Sequence, residues 1–596
     1  MRRHLSGFLI ALCALATAGG AGSAPSVAPV GPSTSTGTGG GSATVERLAT
    51  EAAIATLRKG GNAVDAAVTA AGVLGVTEPF SCGIGGGGFM VIYRPGRTGK
   101  DPTVYTIDSR ERAPAAMTPT SFMENGAPLA FNDARYSGLS VGVPGTVRAW
   151  TEALRKFGTI SLAQALAAGA RIARNGFEVD ATFNDQINQN LDYFDDVPAT
   201  AALYLDPDGT ALDIGSTFHN PDLAKTYDVI GKGGADAFYA GRLAAAIVQA
   251  STRPQLAATA NHTFRPGVMT TADLAAYTAP QRAPTRVNYR GLDVFSMGPP
   301  SSGGSTVGEA LNILEGYPLP TYTREHALHL YLEASRYAFA DRGAYLGDPD
   351  FVKVPLRGLL SKAFASTRRN LITDRAAPGP VPPGDPLPFN GSAALRGQAS
   401  VTETQPSTTT HITTSDNAGN VVSYTFTIES TGGSALVMPG FGFLLNNELT
   451  DFNFDSTTHP NRVEGGKRPR SSMAPTIVLK EGKPLLAVGS PGGSTIITTV
   501  LQILVDRLDL GLSLPQAIAD PRVSQRNGAT SSPEPGFLQT TEAPPLVARG
   551  HAFGAPAEIG AATGIEFLRG NRILVAAEPV RRGGGSALVV KPAGKP

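Results

Sequence analysis

Between Ala376 and Pro388 the chain contains the run A-P-G-P-V-P-P-G-D-P-L-P. Proline locks φ and has no N–H to donate, so neither a helix nor a central strand can pass through this stretch. It therefore divides the chain into two regions of different pattern. Ahead of it helical spacing dominates. Glu46–Lys59 repeats apolar residues at Leu48, Ala52 and Leu57 and ends at Gly60-Gly61, and Asn62 can cap a second helix from Ala63 to about Gly75. Further helices are predicted over Val147–Phe157, Leu162–Arg174 and Glu325–Tyr345, with strands at Phe89–Tyr93 and Val104–Ile107. Behind it hairpins dominate. Ile412–Thr414 and Val421–Thr427 flank D-N-A-G, and Thr476–Leu479 and Leu485–Val488 flank Glu481-Gly482. A helix over Ile496–Leu508 and a last strand over Ala587–Val590 complete the pattern. Helices outside and hairpins inside make an α+β layered sandwich, and no internal repeat is present.

The first residues have the pattern of an export signal. Arg2, Arg3 and His4 precede an apolar stretch from Leu5 to Ala16, and Ala16-Thr17-Ala18 offers an A-x-A cleavage site. Residues 1–18 are expected to be a signal peptide and 19–44 a disordered Gly/Ser/Pro tether, with order beginning near Ala43. The destination is secreted or extracytoplasmic. The stretch is too short for a stable membrane anchor. Cys13 would leave with the signal, so Cys82 is the single cysteine of the mature chain, expected as a small buried hydrophobe. Fifty basic residues balance 49 acidic ones. A net charge of +1 gives no electrostatic case for nucleic acid or an anionic membrane.

Several short motifs resolve into structural roles. Gly83–Gly88 contains a formal G-x-G-x-x-G, but a helix precedes it and a strand follows, the reverse of a dinucleotide site. Close backbone approach is the better account. His326 and His329, one turn apart, lack further ligands at metal-binding spacing and are expected to pack. Thr408-Thr409-Thr410-His411 begins a strand-like segment directly after the Pro-rich region. A threonine hydroxyl is a weak nucleophile, and no side chain beside Thr409 is an obvious base. Cleavage before Thr409 would supply one, because an α-amine with pKa about 7.7–8.0 suits proton transfer near neutrality.

Eight blocks then match one family in order: GGNAVDAA (60–67), GIGGGGFM (83–90), DSRERAP (108–114), VGVPGT (141–146), TTH (409–411), LLNNELTDF (444–452), KRPRSSMAPTIV (467–478) and GSPGGS (489–494). The chain resembles the γ-glutamyltransferases from about residue 45 to its end. The resemblance implies a four-layer αββα N-terminal-nucleophile hydrolase sandwich. It implies self-cleavage between Thr408 and Thr409 into a large subunit, 45–408, and a small one, 409–596, which stay associated. The Pro-rich run would then be a free tail of the large subunit. Thr409 matches the nucleophile and Thr427 the threonine that orients it, while Gly492 and Gly493 match the oxyanion glycines. Arg110, Ser471 and Ser472 match the groups that hold a substrate α-carboxylate. Glu448 and Asp451 match those that hold its α-ammonium. No cofactor and no metal is implied; the partner is a small γ-glutamyl compound.

Elementary chemistry agrees with these roles. A glutamyl α-carbon carries one charge of each sign. Arg110 offers a bidentate fork for the carboxylate, and Glu448 and Asp451 can converge on the ammonium. Glycines before a helix can aim N–H groups at a developing oxyanion. Two departures stand out. Glu429 replaces the asparagine of many members, adding a carboxylate at the ammonium site. The 452–466 segment is short and has no tyrosine, so a lid is not expected and the pocket should be open. The implied activity is γ-glutamyl transfer to water or to amino acids and peptides from donors such as glutathione. Alternatives of the same fold are a glutaryl or cephalosporin acylase and a poly-γ-glutamate hydrolase. Outside enzymes, an uncleaved extracytoplasmic protein that binds glutamyl compounds is the competing possibility.

Overall fold

The computed structural model describes residues 32–96, 101–391 and 408–593. Twelve strands form its main sheet: β1 (Thr34–Thr44), β2 (Gly87–Arg94), β3 (Thr103–Asp108), β4 (Thr285–Tyr289), β5 (Leu292–Ser296), β6 (Thr410–Asp416), β7 (Val421–Thr427), β8 (Thr476–Lys480), β9 (Lys483–Gly489), β10 (Thr563–Phe567), β11 (Ile573–Ala577) and β12 (Ser586–Pro592). The order is β3-β2-β7-β6-β1-β11-β10-β9-β8-β5-β4, antiparallel throughout, with β12 also paired to β1. The sheet folds over at β1, so that β6 and β7 face β9 and β10.

Helices cover both outer faces. On one side lie α1 (Arg47–Arg58), α2 (Ala63–Thr77), α3 (Thr146–Phe157) and α4 (Leu162–Asn175). On the other lie α5 (Gly303–Leu314), α6 (Arg324–Tyr345) and α7 (Thr495–Leu508). The period-2 alternation of β2 shows how one strand serves two layers. Met90 and Ile92 enter the core beneath α1–α4, while Phe89, Val91 and Tyr93 enter the opposite core with α5–α7. The result is the expected four-layer αββα sandwich. Asn62 caps α2 as its position suggests, in a reciprocal capping box with Asp65.

Two expectations are corrected. Residues 34–44, assigned to a disordered tether, form β1, the strand that joins the two halves of the sheet. Thr34–Gly37 pair with β11, and Gly40–Ala43 pair with β6. The strand carries no apolar alternation because it needs closeness, not side chains. A Cβ on Gly37 would stand 2.1 Å from Lys591 O, and Gly39 and Gly40 turn the strand at φ of +85° and +101°. The signal-peptide assignment, 1–18, lies outside the described residues.

The Pro-rich run is not a free tail in its described part. Val381 N–H donates to Asn527 Oδ1 at 2.7 Å, Arg336 and Arg368 donate to the carbonyls of Gly379 and Pro382, and Tyr345 Oη donates to Gly384 O. Extended proline segments leave carbonyls free, and here buried arginines satisfy them. Among the described residues no helix is long and apolar enough to cross a membrane.

Candidate active site

Thr409 stands just before β6, whose hairpin partner β7 ends at Thr427. The Gly-rich segment lets these strands sit close to their neighbours. A Cβ on Gly86 would fall 1.9 Å from Thr427 O, and one on Gly87 2.1 Å from Ser109 O. Two functional segments thus converge on one glycine run. Beyond Thr409, His411 is buried in the sheet, bonded through Nδ1 to Thr425 Oγ1 at 2.7 Å. Burial drops its pKa to about 3, so the ring is neutral and serves packing.

The Thr408–Thr409 peptide is clamped. Thr408 N–H donates to Glu429 O at 3.0 Å, and Arg582 Nη1 donates to Thr409 O at 2.7 Å. Thr409 Oγ lies against Thr408 O and donates to Thr427 Oγ1 at 3.3 Å. Thr427 Oγ1 in turn donates to Thr408 O at 3.0 Å and accepts from Glu429 N at 2.8 Å. One hydroxyl proton therefore points at the carbonyl oxygen that attack on Thr408 would charge. Glu429 holds its place at φ +80°, a left-handed conformation a glutamate rarely adopts.

Around Thr409 a cavity of about 100 Å³ is lined by Arg110, Thr427, Glu429, Glu448, Asp451, Ser471, Ser472 and Gly493. Gly492 and Thr408 face a second, larger cavity. Arg110 is fully buried, its Nη1 paired with Glu448 and its Nη2 with Asp451. Its Nε and Nη2 also donate to the carbonyls of Pro469 and Arg470, both at 3.1 Å. The groups of both signs expected in the pocket thus form one contiguous charge cluster. Glu448 Oε2 is buried and has no hydrogen-bond partner among the described residues. Burial raises the Glu429 carboxyl above its ordinary range, against hydrogen bonds from Ser430 and Asn447 that pull it down. Ser471 and Ser472 lie on a segment fixed by Ser302 N–H to Ser471 O at 2.8 Å, and Ser472 Oγ accepts from Arg342 at 2.8 Å.

Gly492 and Gly493 lead into α7 at φ of +126° and +54°. Neither N–H meets a protein acceptor among the described residues. Thr495 closes the turn by donating from Oγ1 to Gly492 O at 2.6 Å. Residues 452–466 line no part of the small cavity among the described residues; Phe454 stacks on Phe122 instead.

A scan for known families matches residues 49–588 to the γ-glutamyltranspeptidase model. The chain belongs to the γ-glutamyltranspeptidase family. A glutathione hydrolase proenzyme of Bacillus subtilis (strain 168) is 40% identical over 525 residues, covering 87% of this chain and 86% of that protein. An acylase ACY 1 proenzyme of Pseudomonas sp. (strain SE83) is 36% identical over 515 residues, covering 85% of each. Among solved structures, a cephalosporin acylase from Bacillus halodurans superposes with a TM-score of 0.81 at 28% identity, covering 95% of this chain and 98% of that one.

Family blocks did not reveal every residue that touches the site. Arg582, just ahead of the Gly583–Gly585 run, bonds Thr409 O, Glu78 Oε2 at 2.7 Å and Ser81 Oγ at 2.6 Å. Phe131, Thr450, Met473 and Ile496 also line the small cavity. Thr450 and Met473 lie inside matched blocks beside named residues, whereas Phe131 is remote from every block and reaches the site through tertiary folding alone. Cys82 is buried as expected, and burial pushes its thiol far up. His329 is a packing residue, with Nδ1 bonded to His551 at 2.8 Å and Nε2 to Thr373 O at 2.7 Å.

Proposed function

We propose that this chain is an autoprocessing γ-glutamyltransferase and glutathione hydrolase whose nucleophile is Thr409. The observation that carries the proposal is the clamped Thr408–Thr409 peptide, with Thr427 Oγ1 donating to the carbonyl beside which Thr409 Oγ lies. In maturation Thr409 Oγ bonds to the Thr408 carbonyl carbon, and Thr427 stabilises the oxyanion. The C–N bond then breaks as nitrogen gains a proton. Water hydrolyses the resulting ester and frees both the hydroxyl and the α-amine. The proenzyme names of the relatives support one precursor that is processed into subunits.

In turnover the α-amine takes the Thr409 hydroxyl proton while Oγ attacks the γ-amide carbon. Gly492 and Gly493 present N–H groups to the oxyanion, and the amine departs with the proton, leaving a γ-glutamyl ester on Thr409. Water or an amino acid or peptide amine then releases the glutamyl group. Arg110 with Ser471 and Ser472 would hold the α-carboxylate, and Glu429, Glu448 and Asp451 the α-ammonium. Two carboxylates, Glu448 and Asp451, face the single cation of Arg110, which favours a ligand that brings a second cation; a glutaryl group brings none.

Thr409→Ala is expected to run as a single band on a denaturing gel and to lose turnover, while the wild type gives two bands, the smaller beginning Thr-Thr-His-Ile. A wild-type protein that stays whole yet hydrolyses glutathione would overturn the proposal. Arg110→Gln is expected to lower kcat/KM for γ-glutamyl donors by about 10–100-fold, the scale of one charge-assisted bidentate contact.

A further inference from the structure

Glu429 opens a turn of strained backbone. Its own φ of +80° is followed by +81° at Gly432 and +58° at Gly433. A glutamate stays in the left-handed region only where its surroundings over-determine it. The carbonyls of the turn show what does so. Those of Ser430 and Gly432 are taken locally, by the N–H groups of Gly433 and Ala435 at 2.8 and 3.0 Å. That of Glu429 accepts from Thr408 N–H at 3.0 Å, a tie whose covalent link to Thr409 ends with the cut. The carbonyls of Thr431 and Gly433 both accept from one guanidinium, that of Arg135, the first through Nη2 and the second through Nε at 3.2 Å.

Arg135 is itself fixed. Asn190 Oδ1 accepts from its Nη2 at 2.7 Å and from Tyr136 Oη at 3.0 Å. Its Cζ lies 4.2 Å from the centroid of the Tyr136 ring, which stacks on Tyr193. Arg135 ends the short helix Phe131–Arg135, whose first residue lines the small cavity and which packs against the turn Glu448–Asp451. One helix from the segment before Thr409 thus backs both acidic stretches of the ammonium site. We propose that Arg135 is a positioning residue for donor selection: by bridging the Thr431 and Gly433 carbonyls it holds the Glu429 turn, and so sets the preference for donors that carry an α-ammonium. The proposal rests on the γ-glutamyl function above. Arg135 acts through Glu429 and touches no reacting atom. A planar fork spans two acceptors where a single ammonium does not, so arginine suits the task better than lysine. Charge works in the same direction, since burial raises the Glu429 carboxyl and the cations of Arg135 and Arg110 oppose that rise.

The test compares γ-glutamyl-4-nitroanilide with glutaryl-4-nitroanilide, which differ only in the α-ammonium. The matured wild type is expected to favour the first by at least about tenfold in kcat/KM, the scale of one charge-assisted contact. Arg135→Gln should raise KM for the γ-glutamyl donor by about tenfold with little change in kcat, and should alter the glutaryl donor far less, so that the ratio falls. Arg135→Lys should recover part of it. A smaller folded or self-cleaved fraction would instead lower kcat for both donors together and leave the ratio intact, which would overturn the assignment. So would a wild-type ratio near one in a protein that cleaves both anilides. If Arg135→Gln does not self-cleave, Arg135→Lys decides, and a lysine variant with the full wild-type ratio would overturn it. Failure of both variants to self-cleave would do the same, by placing the role of Arg135 in the precursor. A wild type that cleaves neither anilide would instead sink the γ-glutamyl function itself.

Discussion

Glu111, the residue after Arg110, is fully buried, and neither of its carboxylate oxygens has a hydrogen-bond partner among the described residues. A Cβ on Gly87 would come within 2.7 Å of its Oε2, so the carboxyl sits against the glycine run beneath the site. Burial pushes its pKa up to about 8, and the Arg110 cation only partly opposes this. The folded protein therefore keeps a proton that the unfolded chain releases near the ordinary value of 4.5. Below that value both states are protonated and nothing is lost. Between about 4.5 and 8 stability falls as pH rises, by up to about 1.4 kcal/mol per unit. Glu111→Gln removes this slope, so its melting temperature is expected to gain on the wild type from pH 5 to pH 8. Parallel curves would show that Glu111 is ionised when folded. At this scale contiguous sequence blocks named residues that the fold gathers, with Arg110, Thr409 and Gly493 lining one cavity. The sequence was silent on Arg582 and Glu78, which lie 504 positions apart and meet only in the fold. It also placed Glu448 and Asp451 on a shared ammonium, while the structure sets Arg110 between them.

The helices read from the sequence were placed nearly to the residue, since their signals are local, but Pro221–Gly233, capped by Asn220, and α5 went unread. α2 begins after Asn62, and α6 runs from Arg324 to Tyr345 against an expected Glu325–Tyr345. β1 was not legible, because its sequence, T-S-T-G-T-G-G-G-S-A-T, shares the composition of a flexible linker. What makes it a strand is the backbone of four neighbours: β11, β6 and β12 along its edges and α1 beneath it. β4, β5, β10 and β11 went unassigned although they form two local hairpins, β4–β5 and β10–β11; each strand is only five residues long, too short for a decisive alternation. Deleting residues 32–41 should therefore abolish soluble, self-cleaved protein, where loss of a mere tether would change neither. Gly41→Val tests the same point more gently. Its Cβ would stand 2.6 Å from Val575 Cγ2, and overpacking of this kind costs about 1–3 kcal/mol. Its melting temperature should fall, while the same substitution at Gly536, whose φ is −64° and whose Cβ would meet nothing nearer than Pro521 at 3.7 Å, should do far less.

Across the whole molecule, the proposed cut before Thr409 would divide the sheet in an interleaved way. The segment before the cut supplies β1–β5 and the segment after it β6–β12. In spatial order the sheet alternates between them, and strands from the two segments pair at β2–β7, β6–β1, β1–β11, β1–β12 and β8–β5. Neither segment contains a contiguous half of the sheet, and each outer helical layer packs on strands of both. Separating the segments would break a ladder of backbone hydrogen bonds at each seam and expose both cores to water, whereas cutting one peptide bond at the cavity wall exposes almost nothing new. The free ends gain a little entropy, but a constraint lost from a folded sandwich of this size is small beside its buried surface. The cut protein should therefore elute from a sizing column at the same volume as uncut Thr409→Ala, with both bands in one peak. The two bands should separate only in denaturant, and far-UV circular dichroism should show them melting in one transition. A smaller fragment that leaves the larger under native conditions, or that melts independently, would show that the layers are held together by chain continuity and not by the pairing described above.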